Sequence, residues 1–187
     1  PIICYETVDP KRIYQLKSFV LTSGEFSNIE HFFLYDPWDG LGTLRKGPDG
    51  PLFEPYKKKA LTQTALSSRI RPEGTTEIPQ LKGILKEIDG FLKTTATVFI
   101  IQNLSEAREA ETGFQAALRA WAIDPRVVAK GSTVFVLTSD ASKIMDDFTK
   151  EFVVVIPVDP STREERANLI QVVGEELGVG LDSSKVE

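Results

Sequence analysis

Short apolar runs rich in β-branched and aromatic residues alternate along this chain with amphipathic segments of helical length, and this rhythm most constrains the fold. Parallel strands need long crossover connections, which are usually helices, so the alternation predicts a parallel sheet with helices on both faces. A chain of 187 residues is long enough for one such domain with an insertion. We therefore predict a single three-layer α/β domain over residues 1–187.

Five parallel strands are predicted from the apolar runs. One of them, Thr97–Ile101, has no polar alternation, as expected for a strand covered by helices on both faces. Asp9-Pro10 is typical of a helix start, with an N-cap followed by proline at the first helical position. The predicted strands are residues 2–5, 31–35, 97–101, 133–137 and 152–156, and the predicted helices are residues 10–21, 77–92, 105–123, 142–149 and one that begins near 160.

Residues 37–76 form a long connection after the second strand, and they contain most of the glycine and proline of the chain, including Gly47-Pro48-Asp49-Gly50-Pro51. Long connections are unusual in compact domains, so this one is functional, mobile or conceals a hairpin. We expect a partly ordered insertion.

Composition and charge disfavour several classes of protein. The formal net charge is −5, which disfavours nucleic acid and anionic membranes as partners, and no apolar run is long enough to span a membrane. Cys4 is the single cysteine, so no internal disulfide can form, and we expect a cytoplasmic protein with a reduced thiol. The chain begins in a strand without methionine, which suggests a piece of a longer protein.

Ligands of an open parallel sheet collect at the carboxyl ends of its strands. A phosphate-binding loop there needs glycines, a lysine and a hydroxyl in the spacing G-x-x-x-x-G-K-[ST]. The first strand is followed instead by Glu6-Thr7-Val8-Asp9, which has no glycine or lysine and carries two carboxylates that repel phosphate. The nearest imitation is the stretch 40–47, in which Arg45 and Lys46 are weak phosphate-binding candidates, and a surface turn is the simpler interpretation.

The third predicted strand ends in Gln102-Asn103, where an ATPase needs an acidic pair for Mg²⁺ and for activating water. Amides neither neutralise a metal ion nor act as a base. Glu106 is the nearest carboxylate, and we interpret it as helix N-terminal charge. The sequence therefore predicts no ATP hydrolysis by this chain alone.

Other candidate sites are weak. Cys4 and His31 begin different strands, and together they form neither a zinc motif nor a convincing catalytic pair. No G-x-S-x-G motif accompanies the serines, and no metal site is predicted. Lys57-Lys58-Lys59 is a basic patch that fits a solvated loop better than an acidic or nucleic-acid partner. Trp38 and Trp121 are candidates for a protein interface, although core packing is the alternative.

Three segments together resemble the large subdomain of the AAA ATPase superfamily, whose sheet has five parallel strands of the P-loop (RecA/AAA) type. Residues 98–103 resemble the Walker B strand with both acids replaced, at Gln102 and Asn103. Residues 133–140 are similar to the sensor-1 strand, with Ser139 near the polar position. Residues 144–170 resemble the terminal strand, the proline-rich turn and the lid-entering helix. Within the superfamily, the pattern is most similar to the degenerate N-terminal half, without Walker A, of a two-part group from plastids, cyanobacteria and archaea.

The resemblance implies a pseudo-ATPase domain of a larger AAA protein, in which residues 160–187 begin a truncated lid. It implies no cofactor for this chain, ATP and Mg²⁺ for the parent protein, and an active AAA module or neighbouring subunits as protein partner. Lys150-Glu151 stands where an arginine finger is usual, which argues against a finger acting in trans, and Arg163 with Arg166 resembles stabilising residues at the lid entry.

Two alternatives stay open at this point. One is a nucleotide-binding enzyme with an unorthodox phosphate site that uses Arg45, Lys46 or Ser139. The other is a doubly wound signalling or interaction module, with Asp36 or Asp140 as phosphoacceptor and Lys143 close to the latter.

Overall fold

The structure is a computed structural model that describes residues 1–48, 50–56, 81–102 and 111–168. Seven strands form one sheet. The strands are β1 (Ile2–Glu6), β2 (His31–Asp36), β3 (Gly40–Gly47), β4 (Gly50–Pro55), β5 (Thr97–Ile101), β6 (Thr133–Thr138) and β7 (Val154–Pro157). The helices are α1 (Pro10–Thr22), α2 (Leu81–Thr94), α3 (Glu111–Ile123), α4 (Pro125–Ala129) and α5 (Asp147–Lys150), with 3-10 turns at Gly24–Phe26 and Ala141–Lys143 and a further helical stretch at 163–168.

The sheet order is β4-β3-β2-β5-β6-β1-β7, and the five strands from β2 to β7 are parallel. These five are the strands expected from the sequence, so the α/β class and the parallel pairing are confirmed. The total of five strands is wrong, because β3 and β4 add an antiparallel hairpin beside β2. This hairpin lies within residues 37–76, so the part of that stretch that the structure describes is largely regular structure. Residues 57–76 lie outside the described residues.

The glycines of the hairpin made its strands difficult to recognise from the sequence. Gly40 has φ +77°, a left-handed conformation that closes the turn after β2, and Gly42 lies so close to β4 that an added Cβ would be 2.7 Å from the carbonyl oxygen of Glu54. Glycine therefore replaces side chains at positions where a period of two would otherwise indicate a strand.

Helices cover both faces of the sheet, as the sequence predicts. On one face α1 packs through Leu16 and Val20, together with residues of β2, β5 and β6. On the other face α2, α3 and α4 pack against alternate residues of the same strands, and the buried Trp121 donates its Nε1–H to Asp89 at 2.9 Å. Trp121 is therefore a core residue rather than an interface residue.

Candidate functional site at the carboxyl edge of the parallel strands

The carboxyl ends of β1 and β6 are the place where a parallel sheet of this order forms a ligand crevice. The two strands are neighbours, but β1 continues into α1 on one face while β6 continues into the 3-10 turn Ala141–Lys143, whose Ala141 packs on the other. The chain therefore leaves these strands in opposite directions, which is the topological switch point that places ligands in open α/β sheets.

The chain itself closes this crevice at its base. The connection from β1 to α1 is only Thr7-Val8-Asp9, and the Thr7 N–H donates to the Thr138 carbonyl oxygen at 2.8 Å. The Asp9 N–H donates to the Thr7 hydroxyl at 3.1 Å. Backbone N–H groups that a phosphate loop would turn toward a ligand are thus used for pairing with the neighbouring strand and within the turn.

The Glu6 side chain accepts a backbone hydrogen bond on the opposite side of the crevice. Its Oε1 accepts the Ala141 N–H at 2.8 Å, at the beginning of the 3-10 turn that follows β6. The backbone oxygen of Glu6 also accepts the Val158 N–H at 2.9 Å. Glu6 therefore holds an N–H group at the switch point through its carboxylate, and its carboxylate and backbone oxygens together join the loops that follow β6 and β7.

Asp9 satisfies the N-terminus of α1. Its Oδ1 accepts the Lys11 N–H at 2.9 Å, and Pro10 has no N–H to offer. The Oδ2 of Asp9 accepts the Ser161 N–H at 2.8 Å. This bond from Ser161, aided by the Lys11 N–H and the nearby Arg12, lowers the pKa of Asp9 to about 2 against the opposing effect of burial. The positive end of α1 is thereby neutralised by its own carboxylate.

Further contacts attach the helical stretch 163–168 to α1. Arg12 binds the Glu165 carboxylate with two hydrogen bonds, at 2.9 and 3.2 Å, and its Nε donates to the Asp159 carbonyl oxygen at 3.3 Å. Lys11 Nζ donates to the Glu165 carbonyl oxygen at 3.3 Å, and Arg166 donates to the Ser161 carbonyl oxygen. The segment after β7 is therefore held beside the crevice by contacts within the protein.

Gln102 follows β5 and binds a buried acid. Its Nε2 donates to Asp36 Oδ2 at 2.6 Å, while its backbone N–H donates to the Tyr35 carbonyl oxygen at 3.0 Å. The other oxygen of Asp36 accepts the Trp38 N–H at 2.7 Å. The Oε1 of Gln102 is buried and has no hydrogen-bond donor among the described residues. Asn103 and Glu106 lie outside the described residues.

The remaining candidates of the β6 loop have local roles. Ser139 is exposed directly after β6. Asp140 caps the 3-10 turn, because its Oδ1 accepts the Ser142 N–H at 2.9 Å, and its Oδ2 lies 3.8 Å from Lys143 Nζ. The predicted pair of Asp140 and Lys143 is thus close in space, but the acid already serves as a cap.

Arg45 and Lys46 lie away from this edge. Gly40 at the start of β3 opposes Asp36, whereas Thr43 already opposes Phe33, so β3 runs toward the amino ends of the parallel strands. Arg45 is largely exposed and its Nε lies 3.3 Å from Glu54 Oε2 on the neighbouring strand β4. The structure therefore does not bring Arg45 or Lys46 together with Ser139 or with Gln102.

Other residues that the sequence singled out also do not contribute to a site at this edge of the sheet. Cys4 is fully buried on β1, and burial first, then the charge of Glu6, raises the pKa of its thiol to about 12. His31 contacts the rings of Phe33 and Phe91, and its strand β2 is separated from β1 by the two strands β5 and β6. Lys150 pairs with Asp147 at 3.2 Å. Lys57-Lys58-Lys59 lies outside the described residues.

The sequence indicated the carboxylates of Glu6 and Asp9 only as charges that repel phosphate. Their partners, Ala141 and Ser161, are 135 and 152 residues away along the chain. No sequence signal indicated these contacts, because the neighbours of β1 in the sheet were not predicted.

Among residues 1–48, 50–56, 81–102 and 111–168, no group of three or more histidine, cysteine or acidic side chains is arranged to bind a metal ion. Within the same ranges, no helix has both the length and the apolar character needed to cross a membrane.

No protein-family model and no curated protein sequence matches this chain. Among solved structures, the chain is similar to a DNA polymerase III gamma subunit-related protein from Thermotoga maritima, with 14% sequence identity and a TM-score of 0.47. The match covers 95% of this chain and 48% of the other, so this chain spans about half the length of that structure. A likeness of this size does not assign a family or an activity.

Proposed function

We propose that this chain is a pseudo-ATPase domain: a non-catalytic, AAA-like module that assembles with, or regulates, an active AAA ATPase module. The observation that carries the proposal is that the carboxylates of Glu6 and Asp9 accept N–H groups of the chain itself at the carboxyl ends of β6, β1 and β7. These side chains accept the Ala141, Ser161 and Lys11 N–H groups, which are the kind of donors that bind phosphate in related arrangements.

Electrostatics also oppose a nucleotide at this position. Two unit charges of like sign about 4 Å apart repel by about 4 kcal/mol at an effective dielectric constant of about 20. A triphosphate in the crevice would meet the charges of Glu6 and Asp9 and would displace bonds that those carboxylates already make. The β1–α1 connection offers no lysine to offset the repulsion.

Among the described residues, the end of β5 offers no group that supports ATP hydrolysis. Gln102 is neutral and donates to Asp36, so it supplies neither a base nor a metal-binding charge. Asp36 is only 5% exposed and both of its oxygens accept hydrogen bonds. These contacts favour a structural role for both residues.

The positions of the candidate residues disfavour the two alternatives, an unorthodox phosphate site and a phosphoacceptor module. Arg45 and Lys46 lie on β3, remote from Ser139, which disfavours a phosphate site shared among them. Asp36 is buried and Asp140 is a cap, which disfavours a phosphoacceptor. Taken in chain order, the parallel strands run 2-3-4-1-5 across the sheet, whereas flavodoxin-like signalling domains have the order 2-1-3-4-5.

Calorimetric titration with ATP and Mg²⁺ tests the inert crevice. We expect no saturable heat up to millimolar nucleotide. A micromolar dissociation constant would overturn the proposal. If a variant that combines Arg45→Ala with Lys46→Ala then lost ATP binding, the site would be assigned to β3. Retention of binding in that variant, with loss on changing Ser139 to Ala, would place it after β6.

Purification from native cells tests the assembly role. We expect the sequence to be isolated in one polypeptide, or in one stable complex, with a module that hydrolyses ATP. Isolation as a lone chain without any ATPase module, as judged by mass spectrometry and light scattering, would contradict that role.

A further inference from the structure

Trp38 is the most exposed large apolar side chain in the described part of the protein, with 87% of its surface accessible. It lies in the turn between β2 and β3, at the carboxyl edge of the sheet. Tryptophan carries a large apolar surface and is among the residues that contribute most to protein interfaces. A tryptophan that the fold leaves in water is therefore a candidate for contact with a partner.

Hydrogen bonds of Asp36 and Gln102 hold the turn that carries Trp38. The Trp38 N–H donates to Asp36 Oδ1 at 2.7 Å, and the other oxygen of Asp36 accepts from Gln102 at 2.6 Å. Gln102 is fixed in turn by its backbone bond to Tyr35 on β2. Gly40, with φ +77°, returns the chain into β3.

This support matters for binding, because ordering a loop on association costs free energy. A side chain presented on a backbone that is already ordered avoids much of that cost. Gln102, at the end of β5, therefore has a structural role. Through Asp36 it fixes the backbone of the turn that carries Trp38.

The charges around the turn indicate the kind of partner. Asp39 is exposed beside Trp38, and half-buried Lys17 on α1 faces both Asp36 and Asp39, whose charges oppose the lowering of its pKa by burial. Among the described residues that act on one another here, two carboxylates against one ammonium leave the turn with a net negative charge. Phosphate backbones and anionic lipid surfaces are repelled by such a surface, whereas a protein pocket with basic side chains at its rim is complementary to it.

We propose that residues 36–40 form a docking turn, in which Trp38 inserts into an apolar pocket of a protein partner whose rim carries lysine or arginine opposite Asp39. The proposal rests on the assembly role proposed above, and it adds the surface and the partner chemistry.

Photo-crosslinking in native cells identifies the partner. Benzoylphenylalanine replaces Trp38 in one variant and Val128 in a control, since Val128 is an exposed apolar residue on α4, next to the amino end of β6. We expect adducts from position 38 alone, mapped to one protein at an apolar pocket bordered by basic residues. Equal labelling from both positions would overturn the proposal, and so would adducts only with nucleic acid or only with residues 1–187 of this protein or of a second copy.

Affinity for the purified partner then measures the contribution of each group. We expect Trp38→Ala to weaken binding at least 30-fold, which corresponds to about 2 kcal/mol at about 1.4 kcal/mol per tenfold. Asp39→Asn should lower the association rate and its dependence on salt, and Val128→Ala should stay within twofold of the unmodified protein. Binding by the Trp38→Ala variant within threefold of the unmodified protein would overturn the proposal.

These outcomes separate the docking turn from the inert crevice. Micromolar ATP binding together with a large Trp38→Ala effect would remove the pseudo-ATPase proposal and leave the docking turn in place. No ATP binding together with an unchanged affinity of Trp38→Ala would remove only the docking turn.

Discussion

Asp9 illustrates at the scale of single residues how the crevice is closed. One oxygen caps α1 and the other accepts the Ser161 N–H from the segment after β7. The cap itself could be predicted from Asp9-Pro10, because N-cap chemistry is local. The contact with Ser161 could not, because it depends on β7 lying beside β1 in the folded sheet.

Replacement of Asp9 by Asn should lower the free energy of unfolding by about 1 kcal/mol at pH 7, because it removes the charge that strengthens both hydrogen bonds. The folded pKa of Asp9, about 2, lies below its unfolded value of about 3.9. The contribution is therefore complete above about pH 4 and is lost as the pH falls toward 2. Urea unfolding between pH 7 and pH 3 should show the difference between the two proteins shrinking with acid.

Asp159→Asn is the matched control for Asp9→Asn. Its backbone oxygen, rather than its exposed carboxylate, accepts the bond from Arg12, so the variant should unfold within about 0.5 kcal/mol of the unmodified protein. A difference for Asp9→Asn that stays constant from pH 7 to pH 3 would contradict the assigned role of its charge.

At the scale of elements, the β3–β4 hairpin marks the limit of prediction from the sequence. The five parallel strands are long apolar runs, whose pattern depends on burial and is visible without any partner. The hairpin contains glycine and proline where a strand pattern would need side chains, and it is defined by close packing against its neighbours. Its existence was among the alternatives for residues 37–76, but its position was not predictable.

Gly42 and Gly83 form a pair that tests the packing of the hairpin. Gly42→Ala places a methyl group against Phe53 and Glu54 of β4, and it should destabilise the protein by about 1–3 kcal/mol. Gly83 is exposed on α2 and has no heavy atom within 4 Å of an added Cβ, so Gly83→Ala should stabilise the protein by up to about 1 kcal/mol. Equal effects of the two substitutions in urea unfolding would show that β3 and β4 do not pack as described.

At the scale of the whole molecule, strand order decides which residues meet. The sequence predicted where the strands occur, but the neighbours of β1 follow from how the helices cross the sheet, which a local pattern does not encode. Consequently Gln102 could be recognised as a departure from an acidic pair, while its partner Asp36 could not be identified. Glu6 and Asp9 likewise gained their importance only when β6 and β7 were placed on either side of β1.

Oxygen atoms of the chain itself accept the backbone N–H groups of Thr7, Ala141 and Ser161 at the carboxyl edge of the sheet. Titration of ¹⁵N-labelled protein with ATP and Mg²⁺, followed through the amide signals of Thr7, Ala141 and Ser161, tests this claim most directly. We expect these three amide signals to stay in place up to millimolar nucleotide. Saturable shifts of the same signals at micromolar nucleotide would contradict the claim.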